Sequence, residues 1–187
     1  MHAYINMKID PSSPALPIQY NYLVQSAIYA ALPLSLVNNL LTKNRIRLGD
    51  SVLEVNEVRF DEQKVQGDVL IARTLSPVVV YSTLIKPEGG KYTCYYQPGE
   101  AEFNKLVNSN LHKKYEAFYG KQPPEGEIQV KPLDRPRLHV MSYKGTVVKG
   151  YTCRLKLTGP CELLQIGLNA GIGGKGSQGY GCVEKVR

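Results

Sequence analysis

The chain opens with an alternation of apolar and polar residues over Ala3–Ile9, which predicts a half-buried β-strand. From Ile18 the spacing becomes that of a helix, which Pro33 ends. A second, shorter helix is predicted over residues 34–42. The segment Arg45–Phe60 is then predicted to form two strands around a Gly-Asp turn. The first part of the chain therefore has the predicted order strand, helix, helix, strand, strand.

A second series of elements follows Gly67, which with Asp68 marks the predicted domain boundary. Its first helix is amphipathic, and the apolar residues from Phe103 to Phe118 are predicted to face inward. The order β-α-β-β-α-β is the split βαβ plan of a ferredoxin-like domain. The predicted elements are strands within 69–81 and 91–96, a helix at 101–119, strands at 137–142 and 146–157, a helix at 160–170 and a last strand at 180–185.

These patterns predict an α+β fold of two tandem ferredoxin-like domains, the first over residues 1–66 and the second over 67–187. A ferredoxin-like domain needs a β-hairpin in its middle, but only residues 32–34 separate the two helices of the first half. We therefore expect the first domain to lack its central hairpin, either because the protein is shortened there or because a segment is missing from the sequence.

Composition narrows the class of protein. Apolar residues make up 43% and charged residues 21% of the chain, as in a folded globular protein rather than a disordered or collagen-like one. No stretch approaches the roughly 20 apolar residues that span a bilayer, and Lys8 and Asp10 stand where a signal peptide needs an apolar run. We expect a cytoplasmic protein without a membrane partner. The four cysteines form no C-x-x-C pair, so we expect neither a metal site nor a cofactor.

The most informative segment is the run Gly171–Gly181, with six glycines in eleven positions. A dinucleotide-binding G-x-G-x-x-G follows a strand and opens a helix, whereas this run follows a predicted helix and precedes a strand. The exposed N–H groups of a glycine-rich loop can face an anion such as a phosphodiester. A flexible surface loop is the alternative, although the apolar start of the next strand favours an ordered one. The loop residues predicted to meet a phosphodiester are Gly171, Gly173, Lys175, Gln178 and Gly179.

Basic residues outnumber acidic residues by 23 to 16, a formal charge of +7 that raises the odds of a polyanionic partner. Several of them cluster around the hairpin predicted in the second domain, where Lys and Arg side chains can neutralise phosphates. A solvated surface charge is the alternative for each member of the cluster. The candidates are Arg135, Arg137, Lys144 and Lys149.

The glycine run and the Cys182-Val183-Glu184 that follows it resemble the C-terminal signature of the CRISPR-associated repeat-processing endoribonucleases, the "Cas six" family of the RAMP superfamily. Supporting matches are the helix at 16–29, the apolar residues of 163–170 and the turn at 47–51. The resemblance covers most of the chain and implies the repeat RNA of a CRISPR transcript as the substrate.

Members of that family cut the repeat without metal. The ribose 2′-hydroxyl attacks the adjacent phosphorus and leaves a 2′,3′-cyclic phosphate and a free 5′-hydroxyl, a reaction served by a base, an acid and donors to the phosphate oxygens. The family commonly uses a His, a Tyr and a Lys. The resemblance gives the catalytic role to Tyr29, which would orient the 2′-hydroxyl; an ordinary aromatic at the edge of the core is the alternative. The usual histidine is missing, since none occurs between His2 and His112.

Two interpretations stay open beside a repeat-processing endoribonuclease. One is a non-catalytic RNA-binding RAMP subunit of a CRISPR effector complex, and the other is an unrelated basic ferredoxin-like binding module. Candidate partners are the repeat RNA, other effector subunits and a second copy of the chain. Cleavage of repeat RNA in EDTA separates the first two interpretations, and a lack of preference for repeat RNA favours the third.

Overall fold

The computed structural model describes residues 2–14, 44–143 and 145–186. The described residues fall into two compact units, one of residues up to 62 with those of 142–146, the other of 63–141 with those from 147 onward. The two helices predicted before residue 43 lie outside the described residues, as does the segment 32–34 where a hairpin was expected to be missing. The domain boundary between residues 66 and 67 stays a prediction.

The first unit contains a three-stranded antiparallel sheet. Its strands are β1 (His2–Ile9), β2 (Arg45–Leu48) and β3 (Ser51–Asp61), with β3 in the middle. Gly49 has a φ of +61° in the turn between β2 and β3, a conformation that glycine adopts without strain. The strands and the Gly-Asp turn predicted for this part of the chain are confirmed.

The remaining elements follow the predicted order with added strands. They are β4 (Val69–Thr74), β5 (Tyr81–Ile85), β6 (Lys91–Tyr95), α1 (Ala101–Tyr119), β7 (Gln129–Pro132), β8 (Arg137–Tyr143), β9 (Thr146–Thr152), β10 (Arg154–Thr158), α2 (Cys161–Ala170), a 3-10 turn at Gly176–Gln178 and β11 (Val183–Lys185).

Four of these strands form an antiparallel sheet in the order β11-β4-β10-β7. With α1 and α2 they reproduce the split βαβ plan of a ferredoxin-like domain. On α1, Phe103, Val107 and Leu111 recur every four residues and are fully buried, in one core cluster with Leu155 and Leu157 of β10. No helix within the described ranges is long and apolar enough to cross a membrane.

The predicted central strand pair is wrong in its position. The segments predicted to form it make a separate two-stranded sheet, β8–β9, in which Val140 and Val147 remain 61% and 54% exposed. The second and third strands of the ferredoxin-like plan in chain order are β7, which the sequence pattern missed and which lies at the edge of the sheet, and β10, which was predicted as the end of the preceding strand. Leu155 of β10 and Val130 of β7 are completely buried, so these strands and not the hairpin supply apolar side chains to the core.

The inward face of α1 also ends earlier than predicted. Phe118 is 66% exposed, and its ring packs against Tyr119 at 5.0 Å between ring centres. All of residues 116–119 are exposed, because the last turn of the helix extends beyond the core. The helix ends at Gly120, whose φ of +63° lets its N–H donate to the carbonyl of Glu116 at 2.8 Å.

Candidate nucleic-acid interface

The glycine-rich loop, residues 171–181, leaves the end of α2 and is hydrogen-bonded at its base. The N–H of Ile172 donates to the carbonyl of Gly181 at 2.8 Å, which closes the loop on itself. The N–H of Gly174 donates to Val79 at 2.8 Å, and that of Gly181 donates to Pro77 at 2.9 Å. The base of the loop is therefore fixed to the segment before β5, which favours the ordered interpretation over a flexible surface loop.

Three glycines at this base allow a close approach of backbone to backbone. One of them is Gly181, whose φ is +76° and where a Cβ would overlap the carbonyl oxygen of Ile172. Gly171 and Gly173 have φ angles of +76° and +79°, in the left-handed region. A Cβ on Gly171 would lie 2.7 Å from the carbonyl oxygen of Gly181, and one on Gly173 would lie 2.6 Å from that of Val79. Gly176 differs, since the nearest atom to its Cβ would be 3.9 Å away. The glycines of the base are thus required by geometry, whereas Gly176 is not.

The apex of the loop faces solvent. Gly176, Ser177 and Gly179 are exposed, and the first N–H groups of a 3-10 turn have no acceptor within the turn. Gln178 is half-buried, and its side-chain oxygen Oε1 is buried without a hydrogen-bond partner among the described residues. That oxygen therefore does not point to solvent, which leaves the backbone and Lys175 as the accessible groups of the apex.

Lys175 connects the loop to two tyrosines that the sequence analysis does not single out together. Its Nζ lies 5.3 Å from the ring centre of Tyr81, within the range of a cation–π contact. The Tyr81 ring lies 5.9 Å from that of Tyr95, and the Tyr95 hydroxyl donates to the carbonyl of Val147 in β9 at 2.8 Å. This chain of contacts joins the loop to the β8–β9 hairpin.

Lys114 of α1 holds the start of the loop. Its ammonium donates three hydrogen bonds, to the carbonyls of Ala170 at 3.1 Å, Gly171 at 2.7 Å and Gly173 at 3.2 Å. Burial lowers the pKa of Lys114 to about 8. Sequence reasoning missed this residue because nothing in the pattern distinguishes it from its exposed neighbour Lys113.

A cleft of about 520 Å³ lies beside the β8–β9 hairpin, with Gln97, Arg135, Arg137 and Tyr151 in its lining. This volume is in the range of small-molecule sites. Burial, and then the charge of Glu100, raises the pKa of the Tyr151 hydroxyl, which therefore stays neutral at physiological pH. The structure thus brings together two of the predicted phosphate-binding residues, Arg135 and Arg137.

The acidic residue nearest in sequence to this cleft, Asp134, is already paired with Arg154. Asp134 accepts hydrogen bonds from the backbone N–H of Arg154 at 2.9 Å and from its guanidinium at 3.0 Å. The backbone bond is the larger cause that lowers the pKa of Asp134. Arg135 and Arg137 are exposed and have no ion-pair partner in the part of the chain that the structure describes. Their charge is therefore available to an anion.

The other predicted site residues divide into two groups. Lys149 is exposed on β9, two residues from Tyr151 and on the same face of that strand. Tyr29 and Lys144 lie outside the described residues. His139, on β8, bonds through Nε2 to the hydroxyl of Thr152 at 2.8 Å. Among the described residues, no group of three His, Cys, Asp or Glu side chains is placed to hold a metal ion.

A comparison with protein families decides the affiliation. The family described as "CRISPR associated protein Cas6, C-terminal" matches residues 60–185, which include the whole glycine-rich loop and the cleft. The chain belongs to the Cas6 family. A CRISPR-associated endoribonuclease Cas6 from Pyrococcus furiosus is 30% identical over 153 residues, covering 80% of this chain and 54% of the relative. The chain therefore spans about half the length of this curated relative.

Solved structures of Cas6-type proteins share the fold. A Cas6-related protein from Pyrococcus furiosus superposes with a TM-score of 0.83 at 16% identity, covering 99% of this chain and 98% of that chain. A RAMP protein described as binding different RNA substrates gives 0.79 at 16% identity, covering 99% of both chains. These similarities confirm the α+β class and the tandem ferredoxin-like fold of Cas6 structures.

Proposed function

We propose that this Cas6-family chain binds the repeat of a precursor CRISPR transcript through the glycine-rich loop and the neighbouring basic hairpin. The observation that carries the proposal is the ordered loop, whose base is fixed by backbone hydrogen bonds while its apex is exposed beside the half-buried Lys175. Backbone N–H groups and cations are the groups that proteins use to hold a phosphodiester chain. The name of the curated relative, an endoribonuclease, supports RNA as the ligand.

The RNA-binding residues in this proposal form two sets. The loop contributes Gly171, Gly173, Lys175, Gln178 and Gly179, and the hairpin region contributes Arg135, Arg137, Lys144 and Lys149. The contacts from Lys175 through Tyr81 and Tyr95 to β9 support one continuous surface for the loop and the strand that carries Lys149. Phosphate contacts position an RNA without reading its sequence, so the preference for a repeat must come from additional contacts to bases.

We further propose that the bound repeat is cleaved without metal, by attack of the 2′-hydroxyl next to the scissile phosphate. The products are a 2′,3′-cyclic phosphate and a 5′-hydroxyl. Tyr29 orients the 2′-hydroxyl rather than deprotonating it, because an ordinary tyrosine is a weak base at pH 7. The apex of the loop and Lys175 would stabilise the charge that develops on the equatorial phosphate oxygens.

A second candidate is a non-catalytic RNA-holding subunit of a CRISPR effector complex. The specific observation in its favour is the histidine content, since the chain has none between His2 and His112, and His139 bonds to Thr152. In this case the other effector subunits are the protein partners. A homodimer of the chain is the further assembly to examine.

Incubation of end-labelled repeat RNA with the protein in EDTA tests both candidates. We expect a single cut that ends in a cyclic phosphate, and we expect Tyr29→Phe to slow the cut by about 10² or more, the usual scale of a lost acid–base or positioning group. Tyr92→Phe, an exposed tyrosine of β6, is the control and should cut at the wild-type rate. Tight binding without any cut favours the non-catalytic subunit, and undiminished cleavage by Tyr29→Phe removes the role of that residue.

A further inference from the structure

The ammonium of Lys114 is half-buried at the start of the glycine-rich loop. Its three N–H groups are all used, on the carbonyls of Ala170, Gly171 and Gly173 at 3.1, 2.7 and 3.2 Å. No carboxylate of the described residues forms an ion pair with it. Partial withdrawal of a cation from water without a counter-ion has a desolvation cost, which these three hydrogen bonds oppose. The bonds all go to the root of the glycine-rich loop, so this is the part of the chain that the ammonium holds.

Two of the carbonyls that Lys114 binds, those of Ala170 and Gly171, stand at the C-terminal end of α2, and the third, that of Gly173, lies in the loop. A helix ends with carbonyl groups that have no intrahelical donor, and the C-terminal end carries a partial negative charge. The last turn of α2 contains no basic residue, and Gly171 follows it with φ +76° and ψ 170°, outside the left-handed conformation of the common glycine cap. Lys114 supplies from α1 the cation and the donors that α2 lacks.

The same ammonium fixes the direction in which the loop leaves α2. Gly171 and Gly173 are the two glycines whose backbones approach Gly181 and Val79 most closely, so their placement sets the path of the loop. The apex begins directly afterwards, at Lys175. A loss of the three hydrogen bonds would loosen the first arm at Gly171 and Gly173, although the N–H groups of Ile172 and Gly174 would still bond to Gly181 and Val79.

We propose that Lys114 is a positioning residue of the RNA-binding loop: it does not touch the RNA, but its charge holds the arm that presents the loop apex to a phosphodiester. The inference rests on the proposed RNA-binding function. Because the pKa of Lys114 is lowered to about 8, the inference implies a pH dependence: above this pH the neutral amine has two N–H groups and can no longer donate to three carbonyls.

Burial is the cause of the lowered pKa of Lys114, and no charged neighbour contributes. The other titratable residues on the elements around it are Glu102, Lys105, His112, Lys113, Tyr115, Glu116 and Tyr119 on α1, Cys161 and Glu162 on α2, and Lys175 and Tyr180 in the loop.

Lys114→Met tests the inference, with Lys113→Met as the control of equal charge on the exposed side of the same helix. Amide hydrogen exchange of the full chain without RNA is measured first. We expect the amides of residues 171–181 to exchange faster in Lys114→Met than in the wild type. In Lys113→Met their exchange rates should be unchanged. Binding of a labelled repeat RNA should then weaken about tenfold in Lys114→Met, the scale of a lost hydrogen bond to a charged group.

Unchanged exchange in the loop of Lys114→Met, or an increase spread evenly over the chain, overturns the inference. A wild-type protein that does not bind RNA, combined with faster loop exchange in Lys114→Met, contradicts the proposed function and leaves the loop-holding role intact. The two failures are therefore distinguishable.

The pH dependence of the wild type provides a test that needs no folded variant. A lysine has a pKa of about 10.4 when unfolded, so between pH 8 and 10 the unfolded chain binds the extra proton and stability rises with pH. RNA affinity should fall over the same range, since the ammonium is lost. A merely structural lysine would make stability and affinity change in the same direction, and that result overturns the inference.

Discussion

At the residue scale, the glycines of the loop differ in whether their surroundings leave room for a side chain. Gly173 combines a left-handed backbone with a site where a Cβ would lie 2.6 Å from the carbonyl oxygen of Val79. The sequence showed that glycines are concentrated here, but it could not show which of them face another backbone. That distinction depends on the segment before β5, which lies more than ninety residues earlier in the chain.

Gly173→Ala and Gly176→Ala form a matched pair within the same loop. We expect Gly173→Ala to lower the free energy of unfolding by about 1–3 kcal/mol and to weaken RNA binding, because the new Cβ forces the loop away from Val79. Gly176→Ala should leave both quantities nearly unchanged, since its Cβ enters open space. Thermal unfolding and fluorescence anisotropy with repeat RNA measure the pair, and equal effects would show that the close approach is unimportant.

At the element scale, the sequence predicts the position of every strand of the first sheet and of both helices of the second unit, because each has a clear period of two or of three to four. It fails for β7, which is only four residues long and ends at Pro132. It also fails to separate β9 from β10, since no Gly or Pro stands at the break and only tertiary burial distinguishes Leu155 from the exposed Val147. The prediction that Phe118 faces inward is also wrong, because the periodicity of a helix does not show where the core against which it packs ends.

The cleft beside the β8–β9 hairpin is expected to contribute charge rather than sequence preference. Arg135→Gln and Arg137→Gln should each weaken RNA binding and lower the slope of log Kd against log salt concentration by about one, as expected for the loss of a phosphate contact. Lys121→Gln, an exposed residue after α1, serves as the control of equal charge. An unchanged slope in both arginine variants would place the RNA elsewhere.

At the scale of the whole molecule, the ferredoxin-like plan of the C-terminal sheet is predicted by the order of the elements along the chain, although two of its strands are not the predicted ones. The plan β-α-β-β-α-β brings the C-terminal end of α2 next to β11, and the glycine-rich loop fills this connection. Cas6-family membership follows from the match over residues 60–185, which includes this loop.

Photochemical crosslinking of a repeat RNA, read out by mass spectrometry of the attached peptides, tests the central claim most directly. The account predicts crosslinks within residues 171–181 and 135–151, and a clear preference for repeat RNA over a scrambled RNA of the same composition. Crosslinks that avoid the glycine-rich loop, or equal labelling by both RNAs, would contradict it.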